Sequence, residues 1–278
     1  MNTYADSIKR AAELIEKSNA LIICAGAGIG VDSGLPDFRG KQGFWKAYPA
    51  LSKRDIKFCD IANPRTFKTE PRLAWGFYGH RLNLYRNTQP HEGFSILKSW
   101  GERRPNGYYV FTSNVDGQFQ IAGFDEEHIT EHHGSIHFLQ CMVPCVNNIW
   151  RADGFHPEVD TESCQLSNSL PLCPHCGGVA RPNIFMFDDW GWVHSRRDAQ
   201  ESRFFAWIDG IRNPVCIEIG AGTAIPSVRN FSESVVKSLC GHLIRLNPRD
   251  FDVPSNKHLG IQSGALHALK EINQYLSS

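Results

Sequence analysis

The sequence predicts an α/β fold, a doubly wound parallel sheet interrupted by a helical insert and by a smaller cysteine-bearing insert. Three observations lead there. Short apolar runs alternate with helical patterns along the chain, as in a parallel sheet covered on both faces. A glycine-rich turn, GAGIG at 26–30, directly follows the first apolar run, which is the order a dinucleotide-binding unit needs. One stretch, 138–182, carries five of the nine cysteines with little periodicity, and reads as an insert that cannot build a core of its own.

Residues 5–17 read as a helix, with Ile8, Ala11, Ala12, Leu14 and Ile15 as its apolar stripe. Asn19 and Ala20 end it. The run ALIIC at 20–24 is continuous, as in a strand buried on both faces. Further strands are predicted at 108–111, 128–130, 215–220 and 242–247, with helices at 90–100, 199–211, 231–238 and 263–276. Segment 41–87 is aromatic and mostly helical. The expected division places a Rossmann-type domain over 1–40, 88–137 and 183–278. Segment 41–87 is then a cofactor loop and helical insert, and 138–182 a metal-binding insert.

The composition suits a packed globular protein, with 41% hydrophobic and 21% charged residues in 278. Lysine plus arginine equals aspartate plus glutamate, 29 each, which gives no electrostatic basis for nonspecific binding to nucleic acid or to an anionic membrane. The N-terminal segment lacks the basic start and apolar run of a signal peptide, and no run approaches transmembrane length. A cytoplasmic protein is expected, in which cysteines serve as metal ligands or buried fillers rather than disulfides.

Gly26, Gly28 and Gly30 let the backbone turn tightly and approach a pyrophosphate. Their G-x-G-x-G spacing is not the common dinucleotide fingerprint and is also compatible with a plain tight turn. The longer run GAGIGVDSGLPDFRG, 26–40, resembles the signature of the sirtuins (the Sir2-type NAD-dependent deacylases) at every fixed position except Gly30, where serine is usual. The resemblance implies that Gly26, Ala27, Gly28, Ile29, Asp37, Phe38 and Arg39 contact NAD. Arg39 suits phosphate or ribose oxygens, and Phe38 can shield a reactive sugar carbon from water.

FTSNVDGQF, 111–119, follows an apolar run, so its polar residues fall where the ligand crevice of an open α/β sheet lies. It is similar to the sirtuin T-Q-N-[IV]-D motif, with Ser113 in place of glutamine. Asn114 then corresponds to the residue that orients a ribose hydroxyl and a water, and Asp116 to the one that holds the nicotinamide carboxamide. Four histidines lie between 128 and 137, and their residue type alone does not choose among them. The family's H-G-S motif matches His133, Gly134 and Ser135, which makes His133 the general base. IGAGT at 219–223 and LIRLNP at 243–248 resemble the segments that hold the adenosine, so Gly220, Gly222, Thr223 and Asn247 are carried over as cofactor contacts.

Cys141 and Cys145 form C-x3-C, and Cys173 and Cys176 form C-x2-C, the paired knuckles that a tetrahedral zinc–thiolate site requires. One structural Zn2+ is expected, and sirtuins carry such a module at this place in the chain. Cys164, in the gap between the pairs, is an alternative ligand. Cys24, Cys59, Cys216 and Cys240 are expected as buried fillers.

ARPNIFMFDD, 180–189, resembles the sirtuin strand that pairs with a substrate peptide by strand addition. It implies that acyl-lysine proteins are the substrates and that Phe187 lines the acyl-lysine tunnel. Asp188 stands where the family has glycine, and Asp189 where it has glutamate. WGFYGHRLNLYR, 75–86, resembles the stretch of the sirtuins that remove succinyl and malonyl groups, and implies that Tyr78 and Arg81 bind a distal carboxylate. The implied activity is NAD-dependent lysine deacylation. Its rivals are NAD hydrolysis or ADP-ribosyl transfer on the same fold, and a noncatalytic NAD-sensing protein.

Overall fold

A computed structural model describes residues 3–37 and 40–276. Helix α1 (Tyr4–Glu16), opened by a Thr3–Asp6 capping box, leads into β1 (Leu21–Ala25) and a 3-10 turn (Ala27–Ser33). Five helices follow: α2 (Gly40–Ala47), α3 (Pro49–Lys53), α4 (Phe58–Ile61), α5 (Pro64–Thr69) and the long α6 (Pro71–Asn87). Then come α7 (Glu92–Glu102), β2 (Tyr108–Thr112), the single turn α8 (Gln118–Ile121) and β3 (Ile129–Glu131). The cysteine segment supplies β4 (Gly134–Cys141), β5 (Ile149–Arg151), β6 (Val159–Asp160), β7 (Gln165–Leu166) and β8 (Ala180–Ile184). The chain closes with α9 (Ser195–Ile208), β9 (Val215–Ile219), α10 (Ser227–Ser238), β10 (His242–Leu246), β11 (Leu259–Ile261) and α11 (Ala265–Leu276).

Six parallel strands form the main sheet in the order β11-β10-β9-β1-β2-β3. Taken in order of appearance within the sheet this is the doubly wound arrangement, with its switch point between β1 and β9. The continuous apolar run of β1 follows from its position. Leu21, Ile23 and Ala25 join the core under α1, α7 and α11, while Ile22 and Cys24 join the core under α10 on the opposite face. No helix among the described residues is long and apolar enough to cross a membrane.

The helical and cysteine segments share a single second core. Phe44, Phe67, Trp75, Phe77 and Leu82 pack with Ile136, Leu139, Ala152, Cys164 and Leu166. Backbone carbonyls of the cysteine segment hold α6 from several sides. Trp75 Nε1 donates to Ala180 O (2.8 Å), Arg72 Nη1 to Leu166 O (2.7 Å) and Asn83 Nδ2 to Pro157 O (2.8 Å). Arg86 reaches Phe155 O and Ala152 O at 2.7 and 2.8 Å. The apolar surface that the cysteine-rich stretch lacks is thus provided by α6.

Candidate functional site

A cavity of about 780 Å³ opens at the switch point, between the carboxyl ends of β1, β2 and β9 and the second lobe. That volume suits a ligand the size of a dinucleotide part plus a second substrate. The first loop contributes Gly26, Ala27 and Asp37 to its wall. The end of β2 contributes Ser113, Asn114 and Asp116, and the start of β4 contributes His133. Gly220 and Gly222 come from the turn after β9, and Tyr78, Arg81 and Phe187 from the second lobe. Phe38 and Arg39 lie outside the described residues.

Four of the predicted cofactor residues do not line the cavity. Gly28 sits behind it, where its N–H donates to Gly220 O (3.1 Å). A Cβ on Gly220, which has φ +61°, would come within 2.4 Å of Gly28 Cα, so the turn after β9 can close on the first loop only with glycine at 220. The Ile29 side chain is fully buried in the main core. Thr223 is exposed beyond the rim. Asn247 is buried and braces the loop after β10, donating to Ala221 O (2.9 Å) and accepting from Arg249 N and Asp250 N.

The polar end of β2 is rigid. Thr112 Oγ1 donates to Ala25 O (3.0 Å) and accepts from Asn114 N (3.0 Å), while Asn114 Nδ2 donates to Gly26 O (3.1 Å). With its NH2 group held there, Asn114 offers its amide oxygen as an acceptor. Of the four neighbouring histidines only His133 lines the cavity. His128 pairs with Asp125 on the surface, His132 lies 3.4 Å from Glu201, and His137 Nε2–H donates to Asp116 O (2.9 Å). Burial, reinforced by His132 beside it, drives the His133 imidazole down to about 4 against a bond to the Ser113 backbone. The ring is therefore neutral at physiological pH, the state a proton acceptor needs.

Asp116 behaves in the opposite sense. Burial, with repulsion from Glu131, pushes its carboxyl up to about 6, opposed by the Gln118 N–H and by Arg81. Its charged, acceptor-only form exists above that pH and is lost as pH falls through it. If Asp116 holds the nicotinamide carboxamide, as the sequence resemblance implies, affinity for NAD falls as pH drops below about 6. The same limb should persist in His133→Ala, and calorimetric titration of NAD into that variant across pH would check the assignment. A limb that vanishes with the histidine would refute it.

The lip of the cavity is the segment after β8. Asp189 receives both Nη groups of Arg181 at 2.8 Å, and both side chains are fully buried. The same carboxylate accepts from Met186 N and Gly191 N. Phe187 N donates to Ala62 O (3.0 Å), and its ring stands edge-on to Phe58 at 5.9 Å. Asp188 adopts φ +53°, the left-handed conformation that the family glycine would take without strain, and aspartate is among the few side chains that tolerate it. Its exposed carboxylate accepts from Asn63 Nδ2 (3.3 Å).

The cysteine pairs converge as their spacing predicts. The Sγ atoms of Cys141, Cys145, Cys173 and Cys176 all lie within 4.8 Å of one another, with 3.6 Å between Cys141 and Cys176 and between Cys145 and Cys173. Four thiolates at Zn–S distances of about 2.3 Å would stand about 3.8 Å apart, so the set fits one tetrahedral, closed, structural zinc. Cys164 is not part of it and is buried in the second core. Of the remaining cysteines, Cys24 and Cys216 are buried as expected, but Cys59 and Cys240 are exposed. The one-turn helix α4 turns Cys59 toward the cavity mouth, and Cys240 sits in the turn that ends α10 at φ +55°. Chelation should release one equivalent of zinc and lower the melting temperature. A protein that yields no zinc to a colorimetric chelator would overturn that reading.

The sequence does not mark several polar wall residues, among them Lys57, Ser227 and Tyr85. Ser227 Oγ lies 3.4 Å from His133 Nε2, and nothing in the sequence pairs positions 94 apart. Tyr85 donates no obvious motif, yet its spacing of four from Arg81 was a usable signal.

Residues 26–199 match the family model described as Sir2 family. An NAD-dependent protein deacylase of Aquifex aeolicus is 30% identical over 257 residues, covering 92% of this chain and 95% of that protein. An NAD-dependent protein deacetylase of Caldivirga maquilingensis is 31% identical over 249 residues, covering 88% and 84%. Among solved structures, a Sir2 homolog in complex with NAD superposes with a TM-score of 0.71 at 23% identity, covering 96% of this chain and 93% of that one.

Proposed function

This chain belongs to the Sir2 family, and from that premise we propose that it is an NAD-dependent protein-lysine deacylase that favours acidic acyl groups. One observation carries the reading: a single cavity is lined both by the glycine loops and His133 and by Tyr78 and Arg81. In this reading the glycine turns hold the pyrophosphate, Asp116 holds the nicotinamide carboxamide and Asn114 orients the ribose. The acyl oxygen of the substrate attacks the ribose carbon as the bond to nicotinamide breaks. Neutral His133 accepts the proton of a ribose hydroxyl, which adds to the imidate carbon, and water completes release of lysine and O-acyl-ADP-ribose. Main-chain pairing along the segment after β8 admits a protein substrate with little demand on its sequence. The buried guanidinium of Arg81 supports the acyl preference, since a terminal carboxylate is its natural partner in a desolvated site.

Incubation with NAD and matched acetyl-, succinyl- and malonyl-lysine peptides, read by mass spectrometry, tests the proposal. O-Acyl-ADP-ribose with free lysine is expected, fastest from the succinyl or malonyl peptide. ADP-ribose alone, or an ADP-ribosylated protein, would replace deacylation by NAD hydrolysis or transfer.

A further inference from the structure

Helix α6 turns three polar side chains into the cavity wall. Tyr78, Arg81 and Tyr85 are spaced i, i+3 and i+7, which places them on one helix face, and all three line the cavity wall. The Arg81 guanidinium lies over the rings of Phe77, Tyr78 and Tyr85, with its central carbon 5.3, 5.7 and 5.3 Å from their centroids. Its Nε and Nη2 both donate to the Tyr85 hydroxyl, at 2.9 and 2.7 Å. Two parallel donors on one acceptor fix the plane of the guanidinium as well as its position. Tyr85 is itself fixed, because it is only 4% exposed and its backbone oxygen accepts from Gln118 Nε2.

The type of the bracing residue matters. A carboxylate at position 85 would hold Arg81 equally well, but it would cancel the positive charge and repel an incoming anion. A phenol is a neutral acceptor, so it orients the guanidinium without itself neutralising it. A phenol also keeps its own hydrogen when it accepts. Burial raises both Tyr78 and Tyr85, so both remain protonated donors.

We propose that Tyr85 is a specificity-determining residue of the acyl site: it positions Arg81 for the terminal carboxylate of a dicarboxylic acyl group and gives that carboxylate its own O–H. This rests on the acidic-acyl reading above. It adds a third group to Tyr78 and Arg81 and makes the site a three-sided recess rather than a two-point clamp. It also accounts for a buried tyrosine–arginine pair that faces a cavity, where packing alone would be met by apolar side chains.

The test compares wild type, Tyr85→Phe, Tyr85→Gln and Arg81→Met on succinyl- and acetyl-lysine peptides of one sequence, with melting temperatures measured in parallel. A hydrogen bond to a charged group contributes about 1.5–3 kcal/mol, so Tyr85→Phe should lower the succinyl-to-acetyl ratio of kcat/KM about 10-fold to 100-fold. The loss should be carried by KM for the succinyl peptide. Tyr85→Gln, which restores a neutral acceptor, should recover part of it. A wild-type ratio in Tyr85→Phe, or tighter succinyl binding, would overturn the proposal, the second because the hydroxyl would then be a competitor for Arg81. Equal losses on both peptides with a lower melting temperature would overturn it too, by making Tyr85 merely structural. If wild type shows no preference and Arg81→Met leaves the ratio unchanged, the acidic-acyl reading itself fails and takes this proposal with it.

Discussion

His133→Ala is expected to reduce turnover by about 10²-fold to 10⁴-fold, the range general-base catalysis supplies, while leaving the dissociation constant for NAD largely intact. The expectation is unusually exclusive here. The other nearby histidines are placed elsewhere: His137 donates its Nε2–H to the Asp116 carbonyl, His132 packs beside Glu201, and His128 pairs with a surface aspartate. Among the described residues no second imidazole lines the cavity to take over. Ser227, the other hydrogen-bonding partner of the ring, has no basicity of its own at neutral pH. Single-turnover kinetics and calorimetric NAD binding on the purified variant would decide. Full activity in the alanine variant would move the base to a group the geometry does not single out.

The second large effect is on stability. Asp189→Ala leaves the Arg181 guanidinium fully buried with no counter-charge, a defect that costs about 3–5 kcal/mol. Whole domains are stable by about 5–15 kcal/mol, so the variant should unfold at a much lower denaturant concentration. The backbone bonds from Met186 and Gly191 go with it, which would loosen the segment carrying Phe187 and Asp188. The double variant Arg181→Met with Asp189→Leu removes both charges and should regain much of the loss. Denaturation midpoints for the single and double variants check this, and a silent single variant would show that the pair is not desolvated as described.

The main sheet was legible because a strand buried on both faces is written as an apolar run: β1 and most of β2 are continuous, and β9 and β10 are interrupted only by Glu218 and by His242 and Arg245, of which Glu218 and Arg245 pair with each other in the interior. β11 was not legible. It has three residues, lies at the sheet edge and contains Gly260, so neither length nor periodicity marks it. Helix α10 begins at Ser227, earlier than its apolar pattern suggests, because its first turn, Ser227 to Asn230, offers one apolar residue, Val228, too few to mark a stripe. The cavity wall was legible where a loop is chemically specialised, as at Gly26, Ala27 and Asp37 and at His133. It was opaque where function depends on distant segments meeting. No local pattern announces that Ser227 faces His133, or that the second lobe has one core rather than two. Cys59 and Cys240 show the same limit: an apolar sequence neighbourhood did not translate into burial, because a short helix and a helix-ending turn set their direction.

Helix α6 is seated partly by its neighbouring helices and partly by the cysteine segment. Its flank hydrogen-bonds to carbonyls of the cysteine segment, and at Gly76 the approach is so close that a Cβ would meet the Cys164 carbonyl oxygen at 2.0 Å. A zinc held by the four cysteines would therefore help fix, from a distance, the wall of the cavity that carries Tyr78, Arg81 and Tyr85. On the proposed reading, partial loss of zinc, followed by metal analysis beside peptide assays, should blur the discrimination between long and short acyl chains before it slows nicotinamide release, which would make metal content a variable of selectivity as well as of folding.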